Sequence, residues 1–492
     1  MSCEIISIAQ MRAIDEAAAK TGTPTFSLME SAGSAVAEAV TARFSARPTA
    51  VLCGPGNNGG DGWVAARVLK ARGWPVWVVT LVPRDALKGD AAAAAAKWDG
   101  EIFAADGAAP TPDLVVDALF GAGLARPLTG DAVRLARAFP NAVVVAVDVP
   151  SGVDGDSGKA IGETHFQAAL TVTFVRKKPA HVLEPSRSWC GRVVVADIGA
   201  GDNLVAAQNV TLFENDPALW RGVFPWPGPQ AHKHARGSVA VATGGLGRTG
   251  AGRLAARGAL RVGAGLVTVL SPPDALLENA LHLTAIMLRK SATPEDYAEA
   301  VQAASCAVLG PAFGVTSTQR ANLDAVLASK QRCPLVLDAD ALTLLAPIEP
   351  GVLASHDVVT PHLGEFRRAF PSLLESAATR IEAARVAAAR AGSIVLLKGP
   401  DTVVAEPGGR AIVNATGSPF LATAGSGDVL AGVIAGLIGQ GMPSFEAAAA
   451  GAWLHGRAGE AGPGLIAEDI PENLPAVLNA LAPAAMRSKL AD

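Results

Sequence analysis

The sequence predicts an α/β protein built of two doubly wound domains, and three observations carry that expectation. Short β-branched runs alternate with helical patterns along the whole chain. The alternation is interrupted once, by a proline-rich stretch holding Pro217, Pro225, Pro227 and Pro229, and then restarts. The 492 residues are too many for one ordinary domain and long enough for two real cores. Domains are expected at 1–215 and 231–492, joined by a linker over 216–230.

In the first domain the strands are expected at Ala50–Cys53, Val76–Val82, Leu114–Ala118, Val143–Asp148, Leu170–Val175 and Arg192–Ala196. A helix over Asp61–Arg72 places Val64, Val68 and Leu69 on one face and stops at Gly73. In the second, strands are expected at Ser238–Thr243, Gly265–Leu270, Ala307–Gly310, Pro334–Asp338, Asp357–Thr360 and Ile394–Lys398. Alanine-rich helices such as Leu374–Ala391 lie between them. Strands alternating with helices imply parallel sheets covered on both faces.

Composition narrows the function classes. Lys and Arg number 41 against 45 Asp and Glu, a net charge of −4, which offers no electrostatic footprint for nucleic acid. The five cysteines form no CxxC pair, so neither a disulfide framework nor a structural zinc site is expected. Residues 1–20 carry Glu4, Asp15 and Glu16 without an apolar run, unlike a signal peptide. The apolar stretch Val429–Ile438 is far short of the roughly 20 residues that span a bilayer. A cytoplasmic protein that handles a small molecule is expected.

Three strand ends in the first domain carry matching chemistry. Cys53-Gly54-Pro55-Gly56-Asn57-Asn58-Gly59-Gly60-Asp61-Gly62 joins a strand to a helix, and its glycines let backbone N–H groups approach an anion. It lacks the GxGxxG spacing of a dinucleotide fingerprint. Asp117 ends a strand ahead of Gly121-Ala122-Gly123, and Asp148 ends the next ahead of Pro150-Ser151-Gly152. Strand carboxyl ends converge in a parallel sheet, so Asp117, Asp148 and Ser151 should face Asn57–Asp61 across one cleft.

The segments GPGNNGGDG, DALFGAGL and DVPSGVDGDSG resemble the epimerase domain of the NAD(P)H-hydrate repair enzymes, a Rossmann-like three-layer sandwich. The resemblance implies that Asn57, Asn58, Gly59, Gly60 and Asp61, with Gly121, Ala122, Gly123, Leu124, Ala125, Arg126 and Pro127, hold a hydrated nicotinamide dinucleotide. It implies a potassium ion on Asn58, Asp117 and Ser151, and makes Asp148 the acid/base at the C6 carbon of the hydrate, with a pKa tuned by its surroundings. Lys178 stands where the family tends to have a lysine; a solvated strand end is an equal reading.

In the second domain, Thr423-Ala424-Gly425-Ser426-Gly427-Asp428 opens an apolar helix. The amides of Gly425, Ser426 and Gly427 would form an anion hole, with Asp428 placed to take a proton from an attacking hydroxyl. The pattern resembles the GxGD motif of the ribokinase-like superfamily. With Gly244–Ala251, Gly310–Gly314, Val336–Leu342, Thr360–Glu365 and Leu397–Thr402 in this order, the domain resembles the nucleotide-dependent NAD(P)H-hydrate dehydratases. The resemblance implies nucleotide contacts from Lys398, Gly399, Pro400, Asp401 and Thr402 and from Gly425, Ser426 and Gly427. Ala251, Gly314, His362 and Asp428 would meet the hydrate, and Glu365 is a possible ligand for magnesium or water. Asp338 and Asp340 read equally as structural or as contacts. The chain has PHLGE (361–365) and GPAFG (310–314) where the family usually has PHPGE and GPGLG; Leu363 and Ala312 are expected to leave the local backbone less constrained.

The combined implication is a bifunctional enzyme. The first domain would interconvert the R and S hydrates of NADH and NADPH. The second would phosphorylate the S hydrate from ADP (or ATP) with Mg²⁺ and eliminate phosphate, releasing AMP and restoring the dinucleotide. A homo-oligomer is expected, with no nucleic-acid or membrane partner. The alternative is a ribokinase-like small-molecule kinase whose first domain is an accessory or scaffold.

Overall fold

A computed structural model describes residues 3–484 and 486. The chain divides into two compact units, Met1–Leu212 and Phe213–Asp492.

The first unit is built on seven strands: β1 (Thr49–Cys53), β2 (Val76–Thr80), β3 (Ile102–Ala104), β4 (Leu114–Ala118), β5 (Val143–Val147), β6 (Leu170–Phe174) and β7 (Arg192–Ala196). Their order is β3-β2-β1-β4-β5-β6-β7, and every neighbouring pair is parallel. β1 and β4 are adjacent in register, Leu52 beside Asp117. Connections leave β1 toward one edge and β4 toward the other. That reversal opens a crevice at the carboxyl ends of these two strands. β1, β4 and β6 are buried along their whole length, which suits their apolar and β-branched content.

The helix expected over Asp61–Arg72 begins four residues earlier, at Asn57, and runs to Ala71. Gly59–Ala66 and Leu69 are all buried, because the helix is packed against the sheet and against helix Thr25–Thr41. Glycine is required at position 62: a Cβ there would lie 2.6 Å from the Ala118 Cβ. The Gly-rich loop therefore serves packing.

The second unit carries β8 (Leu212–Glu214), β9 (Ser238–Ala242), β10 (Leu266–Ser271), β11 (Met287–Lys290), β12 (Cys306–Leu309), β13 (Leu335–Leu337), β14 (Val358–Val359), β15 (Ile394–Leu397), β16 (Val403–Ala405) and β17 (Ala411–Val413). The order is β11-β10-β9-β12-β13-β14-β15-β16-β17-β8. From β11 to β15 all pairs are parallel; β15-β16-β17 is antiparallel. The reversal seen between β1 and β4 recurs between β9 and β12. Among the described residues no helix is long and apolar enough to cross a membrane.

Residues 216–230, expected as a linker, start inside the second unit. Two short 3₁₀ turns flank Trp220, which is buried with Phe224 in the second core. The Trp220 indole N–H donates to Asn215, whose amide donates to Asn414 and to the Ala449 carbonyl. The first half of the segment is thus anchored in the core by Trp220 and Phe224, while residues 227–230 are exposed. The expected helix Leu374–Ala391 is divided into Leu373–Ser376 and Arg380–Ala391, because Thr379 caps the second piece by accepting from the Glu382 N–H.

Of the two departures from the family pattern, one has a structural consequence opposite to expectation. Ala312 sits at φ +50°, in the left-handed region where glycine is at ease, so the turn after β12 is more strained with alanine. Leu363 is the first residue of helix Leu363–Ala369, a position that favours proline because its N–H has no partner in the helix.

Helix Ser426–Gly439 lies against helix Gly250–Val262 through glycines. A Cβ on Gly432 would come within 1.9 Å of the Ala255 carbonyl oxygen. Gly432→Ala is therefore expected to cost about 3 kcal/mol or more in denaturant unfolding of the second unit. Ala312→Gly and Leu363→Pro should each raise stability by up to about 1 kcal/mol in the same measurement. A loss of stability in either would refute the turn and helix-start assignments.

Candidate functional site

In the first unit a cavity of about 750 Å³ opens at the β1/β4 reversal. Asn57, Asn58, Asp61, Gly121, Ala122, Gly123, Leu124, Ala125, Arg126 and Asp148 all line it. Lys178, Asp15, Met11, Phe120 and Phe174 also line it. Gly59, Gly60 and Pro127 pack behind the wall: Cβ positions on Gly59 and Gly60 meet Gly54 and Met29, and Pro127 rests on Gly162.

Asp148 is the most heavily constrained residue of the cavity. It follows β5 at φ +65°, a conformation that Asp and Asn tolerate better than other side chains. Its Oδ1 lies 2.9 Å from the Lys178 ammonium and accepts from the Thr173 hydroxyl at 2.9 Å; Oδ2 accepts from the Ala122 N–H at 2.9 Å. Burial alone would raise its pKa, but Lys178 and these donors hold it down to about 2. The expected tuning therefore runs downward, and Asp148 stays a carboxylate at working pH. Lys178 is 2% exposed and also donates to Thr173 and to the Phe174 carbonyl, which removes the solvated-end reading. His181 completes the lock. Its Nδ1 accepts from the Lys178 N–H, so Nε2 carries the proton and donates to the Asp148 carbonyl. Burial holds this imidazole near pKa 4, hence neutral.

Asp117 and Ser151 do not reach the cavity surface. Both are buried beneath Leu119–Gly121. The Ser151 N–H and hydroxyl donate to the Asp117 carboxylate at 2.8 and 2.6 Å, and the Phe120 N–H donates to the Ser151 hydroxyl. The Asp117 pKa is pushed up to about 6 by burial, against the pull of these bonds. Close by, Asn58 has a buried amide nitrogen with no hydrogen-bond partner, and its Oδ1 lies beside Gly121. The acceptors in this region are all oxygens.

In the second unit, Gly425 at φ +91° turns the chain into helix Ser426–Gly439, and Asp428 stands in the helix's first turn. The Ser426 carbonyl is bonded to His455 Nε2 at 2.9 Å, which fixes the turn from below. Lys398, at the end of β15, donates to Asp338 at 2.7 Å and lies 4.0 Å from Glu365. Its ammonium also borders Gly427, where a Cβ would approach it to 3.2 Å. Burial, then the charge of Asp338, raises the Asp428 pKa to about 7, with Lys398 opposing and Glu365 and Asp340 adding to it.

The remaining expected residues divide. Gly399 and Thr402 bond to one another across the β15–β16 turn, while Asp401 is buried and ion-paired to Arg380. His362 caps helix Leu363–Ala369: Nδ1 accepts from the Gly364 N–H at 2.9 Å, and Glu365 returns a bond from the His362 N–H. Its ring remains more than half exposed, and Nε2 lies 3.4 Å from the Glu365 carboxylate. Gly314 donates its N–H to Asp340; it sits at φ +98°, and a Cβ there would meet the Gln319 side chain at 3.7 Å. Ala251 is half-buried in the first turn of helix Gly250–Val262. Asp338 and Asp340 thus serve the site through Lys398 and Gly314.

Sequence reasoning missed Asp15. Helix Ile8–Lys20 precedes every strand of the sheet, and no strand-end or glycine signal marks it.

Residues 25–180 match the family model described as YjeF-related protein N-terminus, and residues 239–466 match NAD(P)H-hydrate dehydratase. A bifunctional NAD(P)H-hydrate repair enzyme of Moorella thermoacetica is 37% identical over 525 aligned positions, covering 97% of each chain. One from Escherichia coli is 34% identical, covering 94% of this chain and 92% of its own. A solved ribokinase-like superfamily protein from Enterococcus faecalis superposes with TM-score 0.50 and 25% identity, over 55% of this chain and 97% of its own. With strand-end chemistry, two reversed parallel sheets and near full-length relatives in agreement, the chain belongs to the family of bifunctional NAD(P)H-hydrate repair enzymes.

Proposed function

We propose that the first unit epimerises the R and S hydrates of NADH and NADPH at C6 and that the second dehydrates the S hydrate at the expense of ADP or ATP. The observation that carries this reading is the contrast between the two aspartates. Asp148 is held ionised in a cavity walled by the glycine loops after β1 and β4, whereas Asp428 is poised at about pKa 7 at a helix N-terminus. A fixed carboxylate suits stabilisation of positive charge that develops on the nicotinamide ring. A carboxylate titrating near neutrality suits removal of a proton from a hydroxyl about to be phosphorylated.

Phosphorylation converts the C6 hydroxyl into a good leaving group. Loss of phosphate from C6 and of a proton from C5 restores the dihydropyridine. Lys398, beside Gly427, is placed to grip a nucleotide phosphate, and the Gly425–Gly427 amides face the transferring group. Among the described residues no three His, Cys, Asp or Glu side chains converge on one metal position. Magnesium would then travel with the nucleotide phosphates and meet Asp338 or Glu365, neutralising phosphate charge. In the first unit, the Asn58 side-chain oxygen beside Gly121 and the oxygens of Asp117 and Ser151 are the donor type that fits a large monovalent cation. Potassium there would supply a fixed positive charge under the cavity floor. We further expect a cytoplasmic homo-oligomer.

Incubation with hydrated NADH, ADP and Mg²⁺ should restore absorbance at 340 nm from both epimers and release inorganic phosphate. A phosphorylated product that accumulates without dihydropyridine would favour the kinase alternative. Asp148→Asn, which preserves the left-handed backbone, should slow R-hydrate use by roughly 100-fold or more while S-hydrate dehydration is unchanged. Asp428→Asn should lower dehydration by about 10³-fold, and replacing K⁺ by Li⁺ should slow epimerisation only. The pH sign follows from the base role: dehydration should rise as pH passes about 7, where Asp428 ionises, and plateau above it. A rate that falls through this range would overturn the assignment of Asp428.

A further inference from the structure

The epimerase cavity holds three carboxylates with unequal commitments. Both Asp148 oxygens are engaged, by Lys178, Thr173 and Ala122. Asp15, on helix Ile8–Lys20, and Asp61, on helix Asn57–Ala71, line the same cavity, and neither carboxylate has a hydrogen bond or ion pair among the described residues. Epimerisation at C6 needs a mobile proton, because hydroxide is a poor leaving group and its oxygen must be protonated to depart. Asp148, anchored on all sides, is unsuited to deliver one.

We propose that Asp15 is the proton carrier of this cavity, with Asp148 as the fixed counter-charge; the proposal rests on the epimerase reading of the first unit. In its carboxyl form Asp15 protonates the C6 oxygen. The C6–O bond breaks, water leaves, and the N1 electron pair forms a C6–N1 double bond whose positive charge Asp148 balances. Water adds to the opposite face and forms the new C6–O bond, and the one proton it loses passes by way of Asp61 to the Asp15 carboxylate, which regains its carboxyl form. No atoms or electrons are gained or lost over the cycle.

The surroundings of Asp15 suit the task. Burial raises its pKa to about 6, with Lys178 lowering it and Asp148 raising it. Asp61 is driven well above its ordinary range by burial and by the charges of Asp148 and Asp15. The charged groups facing Asp15 are Asp61 on helix Asn57–Ala71, Asp148 after β5 and Lys178 after β6; Arg126 lines the cavity from the loop after β4. On its own helix, Arg12 points at Gly123. An acid close to working pH transfers protons best, and Asp15 is nearer to it than Asp148.

The test uses the full chain and purified R hydrate without nucleotide, the epimers being separated chromatographically and the uncatalysed rate subtracted. Wild-type epimerisation should fall as pH rises above about 6, as the acid form of Asp15 is lost. Asp15→Asn should lower kcat by roughly 100-fold with little change in KM and should abolish that limb. Asp15→Glu should recover part of the rate together with the limb. Dehydration of S hydrate by each variant should equal wild type, which controls for folding. If wild type epimerises and Asp15→Asn keeps its rate and pH profile, the proposal is overturned while the epimerase reading stands. An absence of epimerisation by wild type overturns the epimerase reading, and the proposal with it.

Discussion

Two adjacent parallel strands whose connections depart in opposite directions are the constraint on which both candidate sites depend. Helices that cover a parallel sheet occupy its faces, so the only place a ligand can reach the strand ends is where the coverage parts. In the first unit this happens between β1 and β4, and the glycine loops that follow them become the cavity wall. The same reversal recurs between β9 and β12 in the second unit. Chemistry is then set by what stands at the rim: Asp148 one strand further along in the first unit, Lys398 and the Asp428 helix in the second.

The two aspartates show how an identical side chain is set to different work by its neighbours. Asp148 has a lysine and two further donors around its carboxylate, and the combined pull on it outweighs desolvation. Asp428 has one lysine opposed by Asp338, Asp340 and Glu365, and desolvation prevails. The Asp148 arrangement has an internal logic. Removing Lys178 would leave a buried carboxylate unpaired, a change that typically costs about 3–5 kcal/mol. The neutral His181 holds both backbones, so the ion pair is braced at the main chain as well as at the charges.

Much of the fold was legible in the residues. The central strands run close to their expected bounds, since buried parallel strands are written as apolar and β-branched runs. Short strands such as Ile102–Ala104 and Met287–Lys290 escaped because three or four partly exposed residues carry no period. The proline-rich segment misled for a related reason. Proline reports a stiff backbone, and only the packing of Trp220 and Phe224 shows that the start of this one is anchored in the core. Glycines also carried two meanings at once: Gly59 and Gly62 are needed for close packing of backbone and helix, and no local pattern separates that need from anion binding.

The sequence by itself determined the two α/β units, the glycine loops at strand ends, and the identities of Asp148, Asp428, Lys398 and their companions. Those features are local: strand patterns, turns and helix starts are decided within a few residues by backbone sterics and hydrogen bonding. The tertiary structure alone decided which groups share a cavity and in what protonation state. Asp15 meets Asp148 across more than a hundred residues of chain, and Lys178 becomes a buried partner instead of a solvated strand end. Burial and charge depend on distances in space, and these exist only after the sheet has brought its strand ends together.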